Sequence, residues 1–162
     1  MPGKHKETPN SKSIMIREIF TNELNALLNL YKHLHDNDLP LPGQDRITNA
    51  WAEICTDPKI RYFVAEENGV LVSCCHIVVV PNLTRGVRPY ALIENVVTHR
   101  DYRRRGLGKQ VLEHAINWAW ERGCFKVMLM TGRRKEDVDS FYRGIGFESG
   151  GKRAFVIKNP KS

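Results

Sequence analysis

Apolar positions begin at Ile14, and Ile14 to Phe20 reads as a short first strand. Thr21 stands where a helix cap is wanted. Behind it Leu24, Leu27, Leu28, Tyr31 and Leu34 recur at helical spacing. Pro40 and Pro42, within Asn37 to Gly43, break that period. Ile47 to Cys55 reads as a second helix, closed by an Asp57-Pro58 turn. The pattern then turns to strands. Tyr62 to Glu66 leads through Asn68-Gly69, a hairpin signal, into Val70 to Val80. That second run is almost wholly apolar, as suits a central strand covered on both faces. Pro81 to Pro89 is a loop, and Ala91 to Thr98 the next strand. Val111, Leu112, Ala115, Ile116 and Ala119 mark a longer helix, with Gly123 as its C-terminal stop. Lys126 to Thr131 is a strand, and Glu136 to Arg143 a short helix ended by Gly144 and Gly146. Ala154 to Ile157 reads as a last strand. The order β-α-α-β-β-β-α-β-α-β predicts an α/β fold of the α+β type, a mixed central sheet flanked by helices. Residues 1–13 are polar and aperiodic and read as a flexible tail, leaving one domain over 14–162.

The length of 162 residues suits one domain with a real core. Apolar residues at 41% and charged residues at 27% give a soluble globular composition rather than a disordered one. No apolar run approaches the ~20 residues of a membrane helix. Val70 to Val80 is interrupted by Ser73 and His76 and stops at Pro81. The N-terminal residues lack the apolar stretch of a secretory signal, so the cytoplasm is the expected compartment and no membrane partner is expected. Cys55, Cys74, Cys75 and Cys124 have neither metal-ligand nor redox spacing and read as reduced small hydrophobes. The net charge of +7 gathers at Arg103–Arg105 with Lys109, at 133–135 and at 152–153. An anionic partner is implied, and nucleic acid, anionic lipid and a polyphosphate cofactor all qualify.

The run Arg103-Arg104-Arg105-Gly106-Leu107-Gly108 joins a strand to a helix. Helix N-termini present unpaired N–H groups and partial positive charge. Gly106 and Gly108 lack Cβ atoms, so phosphates can come close to the backbone. The run therefore predicts an anion-binding turn, suited to a pyrophosphate. The P-loop pattern is absent. Val111 stands where the third glycine of a dinucleotide fingerprint would be.

With its strand and helix, the run resembles the acyl-CoA signature [RQ]-x-x-G-x-[GA] of the GCN5-related N-acetyltransferases. Glu94-Asn95-Val96-Val97-Thr98-His99 and Tyr102 upstream are similar to that family. So is Ser140-Phe141-Tyr142-Arg143-Gly144-Ile145-Gly146-Phe147 downstream. The resemblance spans about 14–158 by element order and 91–147 by motif. It implies a largely antiparallel sheet and transfer of an acetyl group from acetyl-CoA to a primary amine, with no metal. By resemblance, Val96, Val97 and Thr98 pair with the pantetheine arm. Arg103, Arg104, Arg105, Gly106, Leu107, Gly108 and Lys109 form the loop that holds the pyrophosphate. Tyr142 matches the tyrosine that protonates the departing thiolate. Dimers are common in the family, so a homodimer is expected.

The attacking amine must lose a proton, and Glu94 is the candidate base because it is a carboxylate among apolar strand neighbours. The structural alternative is an ion pair with an arginine across strands. Met130 stands where the branch acting on ribosomal N-termini carries its glutamate, which argues against that mechanism. Lys135 stands where the family often has an asparagine. His33 and His35, with Asp36 and Asp38, are weighed as metal ligands and read as a polar helix end. His76 reads as a hydrogen-bonded core histidine or one facing the pocket. Arg61-Tyr62, Glu94 and Arg134-Lys135 before Phe141-Tyr142 loosely resemble aminoalkylphosphonate acetyltransferases, which implies a small amine carrying an anionic group. A protein amine is the other acceptor class. Two further functions stay open: a basic nucleic-acid-binding module, disfavoured by the lack of any such motif, and a CoA-binding regulator without catalysis.

Overall fold

The computed structural model describes residues 13–35, 38–132, 136–151 and 153–160. One five-stranded sheet runs in the order β1-β2-β3-β4-β5. Its strands are β1 (Ile14–Glu18), β2 (Ile60–Glu67), β3 (Val70–Val80), β4 (Tyr90–Thr98) and β5 (Val127–Leu129). The first four are antiparallel in succession, and β5 lies parallel to β4. The helices are α1 (Leu24–Tyr31), α2 (Gln44–Thr56), the single turn α3 (Thr84–Val87), α4 (Leu107–Glu121) and α5 (Glu136–Arg143).

The β2–β3 hairpin closes on Asn68 and Gly69, at φ 53° and 78°. Consecutive left-handed residues give the turn whose twist matches its strands. β3 is almost wholly apolar because both its faces are covered. Cys75 and Ile77 pack with α4, while Leu71 and Cys74 pack with α1 and α2. α4 buries Leu107, Val111, Leu112, Ala115, Trp118 and Ala119, and each Leu or Val there contributes about 1.5–3 kcal/mol. On the other face lie Leu27, Leu30 and Trp51, and the indole Nε1–H of Trp51 donates to the Thr21 carbonyl at 2.7 Å. That bond ties α2 to the entry of α1.

Three expectations need correction. Thr21 does not cap the first helix. It opens a 3₁₀ turn (Thr21–Glu23), and the Phe20 N–H is met instead by the Glu23 carboxylate at 2.7 Å. The strand expected over Lys126–Thr131 spans only Val127–Leu129. The last strand, Ala154–Ile157, is absent, and Phe155, Val156 and Ile157 stand exposed. Strand propensity needs an edge to pair with. The three residues of β5 offer a short one.

The feature that positions the site is a bulge in β4. Cys74 pairs with Val97 and His76 with Glu94, so two steps on β3 oppose three on β4. Asn95 is the extra residue, at φ 52°. It leaves Val97 in the core on the α1 side while Val96 packs toward α4.

Candidate active site

β4 and β5 pair only over Ala91–Ile93 and Val127–Leu129. Beyond Ile93 the strands part, and among the described residues no strand covers that edge of β4 from Glu94 to Thr98. The opening is a cleft of about 810 Å³ lined by Glu94, Val96, Thr98, Gly108, Phe141 and Tyr142, among others. The His99 N–H donates to Val72 on the β3 side at 2.9 Å. Backbone groups alternate along a strand. Val96 and Thr98 therefore turn their peptide groups to the cleft, and Val97 turns toward β3. Val97 is also 4% exposed, with its side chain in the core.

The loop after β4 opens with a 3₁₀ turn (Arg100–Tyr102), in which the His99 Nδ1 accepts from the Asp101 N–H at 3.2 Å. Gly106 sits at the N-cap of α4 with φ 75°, a conformation that costs other residues steric strain. Among the described residues no side chain caps this end. The first intrahelical donor is the Gln110 N–H, to the Gly106 carbonyl at 3.1 Å. The N–H groups of Leu107, Gly108 and Lys109 thus have no acceptor within the helix. Gly108 has a different reason for its size. A Cβ there would lie 3.2 Å from the Thr98 hydroxyl and 3.4 Å from the Phe141 ring. Its bareness lets α4, β4 and α5 close together at the cleft.

The three arginines divide their work. Arg103 donates to the Thr98 carbonyl at 3.1 Å and to the His33 carbonyl at 3.2 Å, stapling the loop to β4 and to the end of α1. Arg105 turns away from the cleft and grips Glu67, 2% exposed, with two bonds of 3.1 and 2.5 Å, its guanidinium lying over the Tyr102 ring. Arg104, in left-handed backbone at φ 63°, lines the cleft and has no hydrogen bond or ion pair among the described residues. Lys109 reaches the Gly144 carbonyl at 3.4 Å. The groups of the loop left open at the cleft are therefore Arg104 and the amides of Leu107 to Lys109. Glu67, which secures the loop, had no signal in the sequence beyond standing before a turn.

Tyr142 stands on α5, part-buried against the α4-side core, with its ring against Phe141 and Phe147 at 5.0 and 6.0 Å. Phe147 also joins that core, whereas Phe141 is 37% exposed at the cleft. Glu94 is exposed on β4 and makes no ion pair among the described residues. The cross-strand arginine pair weighed above is thus not seen. His33 lines the cleft, lies tilted by 45° against His99 with centroids 4.0 Å apart, and has a buried Nδ1 without a hydrogen-bond partner among the described residues. Loss of solvent, then the neighbouring His99, Arg100 and Arg103, holds it below the usual imidazole value. Met130 is 54% exposed and also lines the cleft. Asp36 and Lys135 lie outside the described residues.

A parted strand edge, an uncapped helix N-terminus and a tyrosine around one cleft define an acyltransferase scaffold. The Acetyltransferase (GNAT) family profile matches residues 24–147. The chain belongs to that family and is an N-acetyltransferase. The glucosamine 6-phosphate N-acetyltransferase of Trypanosoma brucei brucei is 28% identical over 134 residues, covering 83% of this chain and 88% of that one. A solved structure from Agrobacterium tumefaciens str. C58, described as an acetyltransferase, has a TM-score of 0.83 and 41% identity over 90% of this chain and 99% of that one. The aminoglycoside N-acetyltransferase AAC(6')-Iy, solved in complex with CoA, shares the fold at a TM-score of 0.77 and 20% identity, over 94% and 99% of the two chains. Among the described residues no helix is long and apolar enough to cross a membrane.

Proposed function

We propose that this N-acetyltransferase moves an acetyl group from acetyl-CoA to the primary amine of a small molecule by direct attack on the thioester. The observation that carries the reading is the shared cleft. It brings the open edge of β4, the N-terminus of α4 and Tyr142 around one space of about 810 Å³. Arg104 and the amides of Leu107 to Lys109 receive the pyrophosphate, where helix-end N–H groups favour an anion. The peptide group of Val96 and the N–H of Thr98 hold the pantetheine arm as an added strand would. A donor on this edge faces the thioester oxygen as negative charge grows on it.

Glu94 takes a proton from the acceptor ammonium, and the free amine attacks. The N–C bond forms as the C–S bond breaks, and the Tyr142 hydroxyl protonates the leaving thiolate. The second amine proton then restores the phenol. Glu94 releases the first proton to solvent, and the amide and free CoA thiol leave with no net change in the enzyme.

The acceptor class that fits is a small amine bearing an anionic group. Arg103 and Arg104 line the cleft together with Glu94, so cations and a carboxylate flank the same space. The trypanosomal relative is named for such a substrate, glucosamine 6-phosphate. The test is thiol release from acetyl-CoA across amino sugars, amino-sugar phosphates, aminophosphonates, polyamines and peptides. Anionic small amines should lead the panel, and preference for peptides would overturn this acceptor class.

We propose further that the chain forms a homodimer through its C-terminal apolar run. Phe155, Val156 and Ile157 are 89%, 75% and 98% exposed. They follow a groove of about 1310 Å³ lined by Trp120, Met128, Met130 and Ala154. Exposed apolar patches of this kind mark association surfaces. Sedimentation should show a dimer that dissociates when the three residues are replaced by serine.

A further inference from the structure

A row of directly opposed residues crosses the α1-side face of the sheet. Tyr62 on β2 pairs with His76 on β3, and His76 pairs with Glu94 on β4. Cross-strand partners hold their Cβ atoms about 4.5–5.5 Å apart, within reach of one another. The rings of Tyr62 and His76 stack at 4.6 Å and 20°, and Trp51 from α2 closes edge-on against Tyr62 at 5.7 Å. The imidazole is thereby clamped on one side, and Glu94 stands opposite it in the strand pairing on the other. Its Nε2 is buried and has no hydrogen-bond partner among the described residues. A buried imidazole nitrogen left unmatched is uncommon and calls for an account.

The bulge at Asn95 sets this row apart. Without it Glu94 would keep the regular alternation with Val97. With it, Val97 enters the core while Glu94 stays exposed beside the cleft. Titratable groups on this face are the Tyr31 phenol from α1, the Tyr62 phenol from β2, the Cys74 thiol of β3 and the Glu94 carboxylate of β4. Burial pushes both phenols and the thiol up, so they remain protonated and neutral. Glu94 is the carboxylate of the set. Burial lowers His76, so its imidazole is neutral at neutral pH.

We propose that His76 is a positioning and proton-relay residue for Glu94: the proton that Glu94 takes from the acceptor ammonium passes to the His76 imidazole and from there to solvent. The proton leaves nitrogen for the Glu94 carboxylate. It then moves to an unprotonated nitrogen of His76, regenerating the carboxylate, and the imidazolium releases it to water. No electron transfer is involved and charge balances at each step. The inference rests on the acetyl-transfer reading above.

The test uses the full chain with histidine nitrogens labelled, so that NMR follows the titration of His76. Glu94→Gln removes the carboxylate that stabilises the imidazolium, and the His76 midpoint should fall by roughly half a pH unit or more. Steady-state turnover of acetyl-CoA, with glucosamine 6-phosphate and spermidine as amine probes, supplies the second arm. His76→Gln should lower kcat about tenfold with acetyl-CoA affinity unchanged, and should make the acid limb of the pH profile shallower. His76→Phe keeps the stack on Tyr62 and should be equally slow, which separates proton handling from packing. Normal transfer by the wild type with an unmoved His76 midpoint, or with an acid limb unaltered in His76→Gln, overturns the relay alone. A wild type that binds acetyl-CoA yet acetylates no amine overturns the transfer reading, and the relay with it.

Discussion

At the scale of single residues, two glycines do two jobs. Gly106 supplies the left-handed turn that starts α4, and Gly108 supplies room. The sequence pattern suggested that both admit phosphate. The structure shows Gly108 spaced against Thr98 and Phe141. Gly108→Ala should therefore move α5 or β4 by a few tenths of an ångström. We expect a loss of about 1–3 kcal/mol, seen as a lower Tm, and weaker acetyl-CoA binding by calorimetry. Arg17 provides a second residue-scale test. It bridges Glu23 at 2.7 Å and Glu66 at 2.6 Å. Hydrogen bonding to Arg17 holds the Glu23 carboxyl below its usual 4.5, despite partial burial. Such a group stabilises the fold above its unfolded value, and that contribution is lost as pH falls through the folded value. Acidification below about 4.5 should thus lower the Tm of the wild type more steeply than that of Glu23→Gln. Equal slopes in thermal melts across that range would show that the bridge adds nothing.

At the scale of elements, the site exists because β4 parts from β5 and carries a bulge. Most of the elements themselves were legible. Val70–Val80 and Glu136–Arg143 occur with the bounds their patterns predict. Helical spacing found α4, and Gly123, at φ 71°, ends it as expected. The bulge was not legible, because Asn95 looks like any polar residue in a strand until pairing with β3 is known. Nor was the loss of the final strand. Phe155, Val156 and Ile157 carry strand propensity, but propensity says nothing of an available edge. Thr21 failed as a cap for a similar reason: Glu23 and Arg17 formed a network that only tertiary contact creates. The bulge gives a direct test. Asn tolerates φ 52°, whereas a β-branched residue adopts it only at a steric cost. Asn95→Val should cost about 1–2 kcal/mol and reduce kcat, whereas Asn95→Gly should keep both near wild type. Unchanged melting and turnover in Asn95→Val would mean that the bulge is dispensable.

At the scale of the molecule, the net charge of +7 acquires a local meaning. Arg103 and Arg105 are engaged in holding the loop, and Arg104 is the arginine of the run that lines the cleft with no hydrogen bond or ion pair among the described residues. Acetyl-CoA affinity should accordingly weaken as salt rises, through one exposed cation and a helix end rather than through all three arginines. The central claim is that this cleft joins acetyl-CoA to an amine with Tyr142 as the acid. The most direct measurement is thiol release from acetyl-CoA, with and without amine, by the wild type and by Tyr142→Phe. The account predicts amine-dependent release matched by N-acetyl product, slowed about a hundredfold in Tyr142→Phe with acetyl-CoA affinity retained. Wild-type protein that binds acetyl-CoA but releases no thiol with any amine, or a Tyr142→Phe variant as fast as wild type, would contradict it.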